Sequence, residues 1–281
     1  MSDPTQDPTP RTSPAIVGRR TLVAGAAWSI PVMAVATAVP LAAASTCPTA
    51  VFDAAFVTNS DTGSVKVLNA TSPDTADTYT VRITSTLAPG TTTTQNGQSY
   101  NFSQNGSGWN GDNPEDGSGD YTYSGFGPAG AIVLNQRKEG TTAPIGPGTD
   151  SQTLTFEFFD AAGAPISATN VAIDVFDITS VVGQIWRASY WDAVGFSVTP
   201  ASIVSEPTLD QGAGTGTLAD PFRRSGGLFP TNPMGQAQYQ DEFRFDSFPN
   251  GSTMDYTSYN GYQGWHFIAV SSIRFTAQIA C

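Results

Sequence analysis

Runs of alternating apolar and polar residues recur along this 281-residue chain from residue 50 onward. Side chains two positions apart lie on the same face of an extended strand, so each run predicts a strand with one buried face. No run shows the sustained helical spacing of apolar residues that a capped helix needs. The predicted strands span residues 50–57, 64–69, 79–85, 131–134, 153–158, 171–175, 241–248 and 266–279.

The clearest alternation lies in residues 153–198. Two sets of three apolar residues follow each other there across a turn at residues 160–163. Their members are Leu154, Phe156, Phe158, Val171, Ile173 and Val175. Burying one such side chain contributes about 1.5–3 kcal/mol, so the two sets predict a substantial core patch. We therefore expect residues 45–281 to form a single all-β domain, a β-sandwich.

Residues 88–130 differ from the rest in composition, being rich in Gly, Ser, Thr and Asn and poor in aliphatic side chains. Such a segment is typical of a flexible linker between two domains. It also contains six aromatic residues, which a linker has little reason to carry. They are Tyr100, Phe102, Trp109, Tyr121, Tyr123 and Phe126. We expect a long, partly ordered loop at the edge of the sandwich, with a linker as the alternative.

The first 44 residues have the features of an export signal. Residues 1–16 are rich in Pro, Thr and Asp and are predicted to be disordered. The pair Arg19 and Arg20 then precedes an uncharged, Ala-rich stretch, as in twin-arginine signals, and cleavage is expected after Ala44. The alternative is an uncleaved membrane anchor, because residues 21–44 are long enough to span a bilayer. Both predict an exported protein, extracellular or at the cell surface, that meets the membrane only through this segment.

The charge of the chain excludes one class of partner. With a net charge of −12, the protein would repel nucleic acid, whose binding depends on Lys and Arg. The chain also has a single histidine, His266, whereas Ser-His-Asp catalysis needs an imidazole and multi-histidine zinc sites need several. We expect His266 to pack or to form hydrogen bonds. We also expect no catalytic activity and no required cofactor.

The two cysteines, Cys47 and Cys281, suit the predicted compartment, since oxidising locations favour disulfides. A bridge between them would close a loop around nearly the whole domain, for which chain-entropy models give up to about 4–5 kcal/mol of stabilisation. It requires Cα atoms within about 7 Å, which is natural if the first and last strands are neighbours. Two free thiols or an intermolecular bridge are the alternatives.

Four short segments can be compared with a known class of protein. They are residues 176–179 (Phe-Asp-Ile-Thr), 191–194 (Trp-Asp-Ala-Val), 212–215 (Gly-Ala-Gly-Thr) and 218–223 (Leu-Ala-Asp-Pro-Phe-Arg). They resemble segments of bacterial surface proteins with a lectin-like or jelly-roll β-sandwich, although Thr179 replaces the second acidic residue of an Asp-Ile-Asp-like tripeptide. The export segment is similar to those of high-GC Gram-positive surface proteins. The resemblance implies an antiparallel, jelly-roll or lectin-like sandwich at a cell surface.

Three carboxylates near predicted strand ends are candidate metal ligands. They are Asp174, Asp177 and Asp192. A calcium ion takes six to eight oxygen ligands, often carboxylates and carbonyls of loops, so these three would supply part of a site. The alternative is that each aspartate caps a turn or accepts a backbone hydrogen bond. Calcium is the one cofactor that the sequence suggests.

Four aromatic residues in a polar segment that contains Gly and Asn form the candidate ligand surface. They are Tyr256, Tyr259, Tyr262 and Trp265. Flat rings pack on the apolar faces of pyranose sugars, and amphipathic Tyr and Trp are frequent at interfaces. We expect residues 254–265 to be a loop that presents these rings. The alternative is that the rings cover the end of the sandwich core.

These features predict a secreted or cell-surface protein without catalysis. The first expectation is an adhesive or glycan-binding module whose partners are glycans or components of the cell envelope. One alternative is a structural component of the envelope without a small ligand. Another is a secreted hydrolase that uses two carboxylates, for which Glu157, Asp174 and Glu242 are candidates.

Overall fold

The computed structural model describes residues 47–55, 63–95, 98–104, 109–112, 120–123, 131–138, 148–181, 190–205, 212–224, 240–260 and 266–279. Within these ranges the chain forms strands and connections, and no helix. The strands are β1 (Thr49–Ala55), β2 (Val65–Ser72), β3 (Thr75–Leu87), β4 (Thr91–Thr92), β5 (Thr94–Gln95), β6 (Gln98–Ser99), β7 (Ser103–Gln104), β8 (Trp109–Asp112), β9 (Asp120–Tyr123), β10 (Ile132–Lys138), β11 (Gly148–Phe159), β12 (Pro165–Ile166), β13 (Ala168–Phe176), β14 (Ser180–Val181), β15 (Tyr190–Phe196), β16 (Ser202–Ser205), β17 (Phe222–Arg223), β18 (Gln240–Phe248), β19 (Ser252–Asn260) and β20 (His266–Gln278).

Most of these strands join one large sheet. Its order is β14-β15-β19-β11-β3-β2-β1-β20-β13-β18-β16, with β4, β7, β10, β12 and β17 attached beside this path. The strand pairs of this sheet in the described residues are all antiparallel. Neighbours such as β1 and β20 are far apart in sequence. The predicted all-β, antiparallel fold is confirmed.

The sheet curls so that two parts of it face each other, and the pairing of β1 with β20 joins the two parts. Along one edge, β20 pairs with β10 through residues 266–270 and with β1 through residues 272–278. Along its other edge it pairs with β13. We call β15, β19, β11, β3, β2 and β1 the first layer, and β20, β13, β18 and β16 the second layer. Together they form the sandwich.

Phenylalanine rings fill the space between the two layers. Phe158 of β11 packs edge to face on Phe275 of β20, with ring centroids 5.0 Å apart. Phe196 of β15 contacts Phe243 and Phe245 of β18 at 5.0 and 4.9 Å. These rings are buried, and edge-to-face pairs add about 0.5–1.5 kcal/mol each beyond the burial of area. Because the paired rings belong to strands that are not neighbours in the sheet, their contacts join one layer to the other.

The strands predicted from alternation correspond to β1, β2, β3, β10, β11, β13, β18 and β20. In β1, every second residue is buried along the whole strand, and β11 shows the same regular pattern from residue 150 to residue 158. The predicted loop is wrong for residues 254–260, since residues 252–260 form the strand β19. Residues 261–265 lie outside the described residues. Strand β19 pairs with both β11 and β15, so it is a central strand of the first layer.

Some of the described parts of residues 88–130 contact the sandwich. Strands β4 and β7 pair with β10, and the side chain of Asn135 on β10 donates to the carbonyl of Tyr100 at 2.8 Å. Phe102 is buried in the main core. Strands β5 and β6 form one small hairpin, and β8 and β9 form another. The contacts of β4, β7, Tyr100 and Phe102 join these parts of the segment to the domain.

The predicted export signal, with Arg19, Arg20 and cleavage after Ala44, lies outside the described residues. Cys47–Cys281 form one compact unit, distinct from Met1–Thr46. In the part of the chain that the structure describes, no helix has the length and the apolar character needed to cross a membrane.

The first and last described strands are neighbours in the sheet. β1 pairs with β20 from Thr49 opposite Gln278 onward, and the amide of Ile279 donates to the carbonyl of Pro48 at 2.9 Å. This ladder places Cys47 beside the end of β20, as the predicted bridge to Cys281 requires. Cys281 lies outside the described residues, so the disulfide stays a prediction.

If the bridge forms, reduction should destabilise the protein by about 2–5 kcal/mol, the usual effect of removing a disulfide from a small domain. Thermal unfolding with and without reductant measures this. The double variant Cys47→Ser/Cys281→Ser should melt at the temperature of the reduced wild type and should not respond to reductant. Two titratable thiols in the unreduced, denatured wild type would contradict the bridge.

Candidate functional site

The segment 212–224 runs beside β15 and ends in two arginines. Strand β17 pairs with β15 through Phe222 opposite Val194 and Arg223 opposite Ala193. Successive side chains of a strand point to opposite faces of the sheet. Arg224 is accordingly buried, like Phe222, whereas Arg223 is exposed on the outer face of the first layer.

Close approach of the backbone determines the course of this segment. A Cβ atom on Gly212 would lie 2.0 Å from a ring atom of Phe222. On Gly214, where φ is +101°, it would lie 2.2 Å from the carbonyl oxygen of Pro221. At Gly214 the clash is with backbone and φ is positive, so only glycine permits this conformation, whereas a side chain at Gly212 would force the Phe222 ring to move. The backbone of Arg223 also exchanges two hydrogen bonds with Ala213, at 2.8 and 2.9 Å. The backbone thus positions both arginines.

Arg224 forms a buried, two-pronged ion pair with Asp241. Its two terminal nitrogens donate to the two carboxylate oxygens at 2.8 and 2.7 Å, and one of them also donates to the carbonyl of Ile178 at 2.7 Å. Ser205 donates its hydroxyl to the same carboxylate at 2.5 Å. Both charged side chains are almost completely shielded from solvent. Planar, bidentate pairing of this kind is the strongest form of charged hydrogen bond.

Asp192 is the centre of a second group of buried polar contacts. Its carboxylate accepts hydrogen bonds from the hydroxyl of Tyr256 at 2.8 Å and from Thr179 at 3.4 Å. The Nδ1 atom of His266 lies 3.5 Å from Asp192 Oδ1, and the His266 ring packs edge to face on Tyr190. The position of His266 therefore agrees with the packing and hydrogen-bonding role expected from the sequence.

Asp177 lies within the electrostatic reach of both groups. It is buried, its φ is +67°, and its Oδ1 atom has no hydrogen-bond partner among the described residues. Burial raises the pKa of Asp177 well above its ordinary value, the negative charge of Asp192 raises it further, and the positive charge of Arg224 opposes both. Burial and the neighbouring Asp192 likewise raise the pKa of Tyr256. Asp177 is therefore protonated well above the pH at which an exposed aspartate loses its proton.

We call these residues the buried polar cluster; its members are Asp177, Thr179, Asp192, Arg224, Asp241, Tyr256 and His266. A second chain of contacts reaches it from β10. Gln136 donates to the carbonyl of the cluster residue Tyr256 at 3.4 Å, to the hydroxyl of Ser258 at 2.8 Å and to the carbonyl of Asp150 at 3.0 Å. The cluster connects strands of both layers at one end of the sandwich. Its buried carboxylates interact with Arg224, with hydroxyl groups and with one another.

The structure brings together two of the three predicted calcium ligands. Asp177 and Asp192 both belong to the buried polar cluster. Asp174, on β13, instead accepts a hydrogen bond from Ser272 of β20 at 2.8 Å. Among the described residues, no group of three or more His, Cys, Asp or Glu side chains could bind a metal ion. The calcium hypothesis therefore has no complete set of ligands in the described part of the chain.

The four predicted platform residues do not share one surface. Tyr256 is fully buried, with its hydroxyl on Asp192, so this ring is unavailable to a ligand from solution. Tyr259 lies on the opposite face of β19 and is half-buried. Tyr262 and Trp265 lie outside the described residues.

Tyr259 has an aromatic partner that the sequence analysis missed in this role. Trp191 lies opposite it on β15, and the two rings stack with centroids 5.9 Å apart and planes 14° from parallel. The guanidinium of Arg223, on β17, lies 5.2 Å from the centroid of the Trp191 ring. Trp191 and Tyr259 are half-buried, so part of each ring meets solvent. We call Arg223, Trp191 and Tyr259 the aromatic–arginine row.

Hydroxyl groups extend from the aromatic–arginine row along the outer face of the first layer. The outward residues next to the row are Thr149, Ser151 and Thr257, and those farther along β3, β11 and β19 are Thr84, Thr86, Thr153, Thr155, Thr253 and Asp255. They lie opposite one another across the strands, as in the hydrogen bond from Thr153 to Asp255 at 2.7 Å. Ser151 and Thr257 share a similar contact at 3.3 Å. The outer face is therefore a polar surface with donors and acceptors of hydrogen bonds.

The carboxylates considered for hydrolysis each have a partner. Glu157 accepts from Arg82 at 2.7 Å, and this hydrogen bond lowers the pKa of Glu157. Glu242 forms ion pairs with Arg244 and Arg274. Asp174 is bonded to Ser272, as described above. A general acid for glycoside cleavage needs a raised pKa, which the pairing of Glu157 with Arg82 opposes.

Comparison with known proteins adds no relative. No family model matches the chain, and no curated protein or solved structure matches it either. The function is therefore inferred from the geometry of this chain.

The raised pKa of Asp177 predicts a pH-dependent stability. The folded protein retains a proton that the unfolded chain releases above the ordinary value of 3.8. Its contribution to stability is therefore complete at low pH and is lost as the pH rises towards the raised pKa, by up to about 1.4 kcal/mol per pH unit. We expect Asp177→Asn to stabilise the protein relative to the wild type increasingly as the pH rises.

Denaturant unfolding from about pH 4 to pH 8 measures this difference, in the range where linkage predicts it. Asp53→Asn, at an exposed position on β1, is the matched control for loss of one carboxylate. A difference between Asp177→Asn and wild type that stays constant across this range would contradict the protonated, buried state.

The Arg224–Asp241 pair predicts a strong asymmetry between single and double variants. Arg224→Met leaves Asp241 buried without its counter-charge, which should cost about 3–5 kcal/mol in the free energy of unfolding. The double variant Arg224→Met/Asp241→Leu should recover most of this loss. Arg82→Met breaks an exposed pair and should change stability far less, because solvent screens that pair. A single Arg224→Met variant as stable as the wild type would contradict the role given to the pair.

Proposed function

We propose that this protein is an exported, non-catalytic glycan-binding module that acts at a bacterial cell surface. Carbohydrate would bind on the outer face of the first layer, at the aromatic–arginine row. The observation that carries the proposal is the stacked pair of Trp191 and Tyr259, partly exposed on two neighbouring strands.

The chemistry of this face suits a sugar. Pyranose rings have apolar faces that pack against aromatic side chains, and hydroxyl groups around their rims that need polar partners. Tyr259 and Trp191 supply the aromatic surface. Thr149, Ser151 and Thr257, on the adjacent strand positions, supply hydroxyl groups. A ligand at the row would thus meet both types of group within a few ångströms.

The position of the row also favours binding over catalysis. It lies on a face of regular strands, whose backbone hydrogen bonds make the site rigid before a ligand arrives, and a rigid site loses less entropy on binding. Within the described outer face of β11 and β19, the acidic residues are Glu157, paired with Arg82, and Asp255, bonded to Thr153. Neither has the isolated, apolar setting of a catalytic acid. The proposed export and surface location also rest on the Arg19-Arg20 segment and the low content of charged residues.

We expect Trp191→Ala and Tyr259→Ala each to weaken glycan binding by about tenfold or more, the usual effect of removing an aromatic anchor. A glycan array identifies ligands of the wild type, and calorimetry with the strongest of them gives the affinity of each variant. Melting temperatures establish that the variants fold.

Phe159→Ala is the matched control. Phe159 is also an outer-face aromatic residue beside an arginine, with Arg82 5.0 Å from its ring centroid. It lies ten residues along β11 from Thr149, about 33 Å away at the rise of a strand. Loss of binding in this variant to the same extent would contradict a site at the row. A wild type that binds no glycan would contradict the function and would favour a structural component of the cell envelope.

A further inference from the structure

We propose that the glycan bound at the aromatic–arginine row is acidic, and that Arg223 recognises its carboxylate or sulfate group. This inference rests on the proposed function. It concerns the ligand's charge, which stacking on Trp191 and Tyr259 does not specify.

Arg223 differs from the other exposed arginines that the structure describes. Arg82 pairs with Glu157, and both Arg244 and Arg274 pair with Glu242. Arg223 is exposed, its guanidinium lies over Trp191, and it forms no ion pair within the described residues. The chain has 24 acidic and 12 basic residues, so an exposed arginine without a carboxylate partner is unexpected. A guanidinium in this state is available to an anion from solution.

The backbone presents Arg223 in a defined position. It pairs with Ala193 on one side and exchanges two hydrogen bonds with Ala213 on the other. The residues on either side of it, Phe222 and Arg224, are both buried in the sandwich. These contacts prevent the strand from turning over, so Arg223 stays on the outer face. The preparation of the site before binding reduces the entropy lost when the ligand arrives.

The guanidinium also has the right chemistry for such a ligand. It is planar, it remains charged at every physiological pH, and it binds carboxylate and sulfate-like groups through two parallel hydrogen bonds. The guanidinium lies over the Trp191 ring and Arg223 is exposed, so an anion from solution can reach its hydrogen-bond donors. An acidic oligosaccharide that lies along the row, across the strands, would place a sugar ring at Tyr259 and Trp191 and its acidic substituent at Arg223. Asp255, on the same face, would repel an acid, but it already accepts a hydrogen bond from Thr153.

The test begins with an array that carries neutral, sialylated, uronic-acid and sulfated oligosaccharides. We expect the strongest ligands of the wild type to be acidic. Calorimetry then compares the strongest acidic ligand with the same oligosaccharide after methyl esterification of its carboxylates or removal of its sulfates. Loss of a charge-assisted contact should lower the affinity by about tenfold or more. Arg223→Gln should lower affinity for the charged form to a similar degree and should lower affinity for the uncharged form much less. Arg223→Lys should lie between Arg223→Gln and the wild type.

Arg274→Gln is the matched control, because it removes an exposed arginine from the second layer and should leave binding unchanged. Equal affinity for the charged and uncharged forms would overturn the inference while leaving glycan binding in place. So would an unaffected Arg223→Gln variant, or strongest binding to a neutral glycan. Absence of binding to every glycan on the array would overturn the proposed function itself. Stronger binding of the sulfated or of the carboxylated ligands identifies the acidic group that Arg223 recognises.

Discussion

The buried pair of Arg224 and Asp241 is the interaction on which one end of this sandwich depends. It joins the segment 212–224 to β18, and through the carbonyl of Ile178 it also reaches the connection after β13. Two charges removed from water are stable only while each has the other and its remaining hydrogen bonds. The glycines at 212 and 214 let the chain approach closely enough for this to happen. The same backbone course then puts the next arginine outside.

The positions of the buried Arg224 and of the exposed Arg223 thus depend on each other through the short strand β17. Because Arg224 is held inside by Asp241, the alternation of β17 commits Arg223 to the outer face, beside Trp191. A substitution in the Arg224–Asp241 pair would therefore alter the position of Arg223 in the aromatic–arginine row, although the pair itself lies in the interior. Two further carboxylates, Asp177 and Asp192, lie in the same buried region. Burial and the negative charge of Asp192 raise the pKa of Asp177 well above its ordinary value.

The sequence predicts the fold where the inner face of a strand is apolar, and fails where that face is polar. The inward residues are Ala50, Phe52 and Ala54 in β1, Leu154, Phe156 and Phe158 in the second half of β11, and Val171, Ile173 and Val175 in β13, so the alternation of these strands is visible. In β19 the inward residues are Ser252, Met254, Tyr256 and Ser258, of which Tyr256 and Ser258 take part in the polar contacts, and the sequence of the strand resembles a loop. The inward Asp192 hides the pattern of β15 in the same way. Arg224 carries no local signal of burial, because its partner lies on another strand.

The pairing of β1 with β20 has a mechanical consequence. Pro48 and Ile279 lie side by side at one end of an antiparallel ladder. A pulling force applied to the chain at these two points would break the backbone hydrogen bonds of the ladder one after another, because each bears the load in turn. A covalent link between Cys47 and Cys281 would carry that force around the sandwich. The force needed to separate these two points would then be set by a single sulfur–sulfur bond, while the aromatic core would bear none of the load.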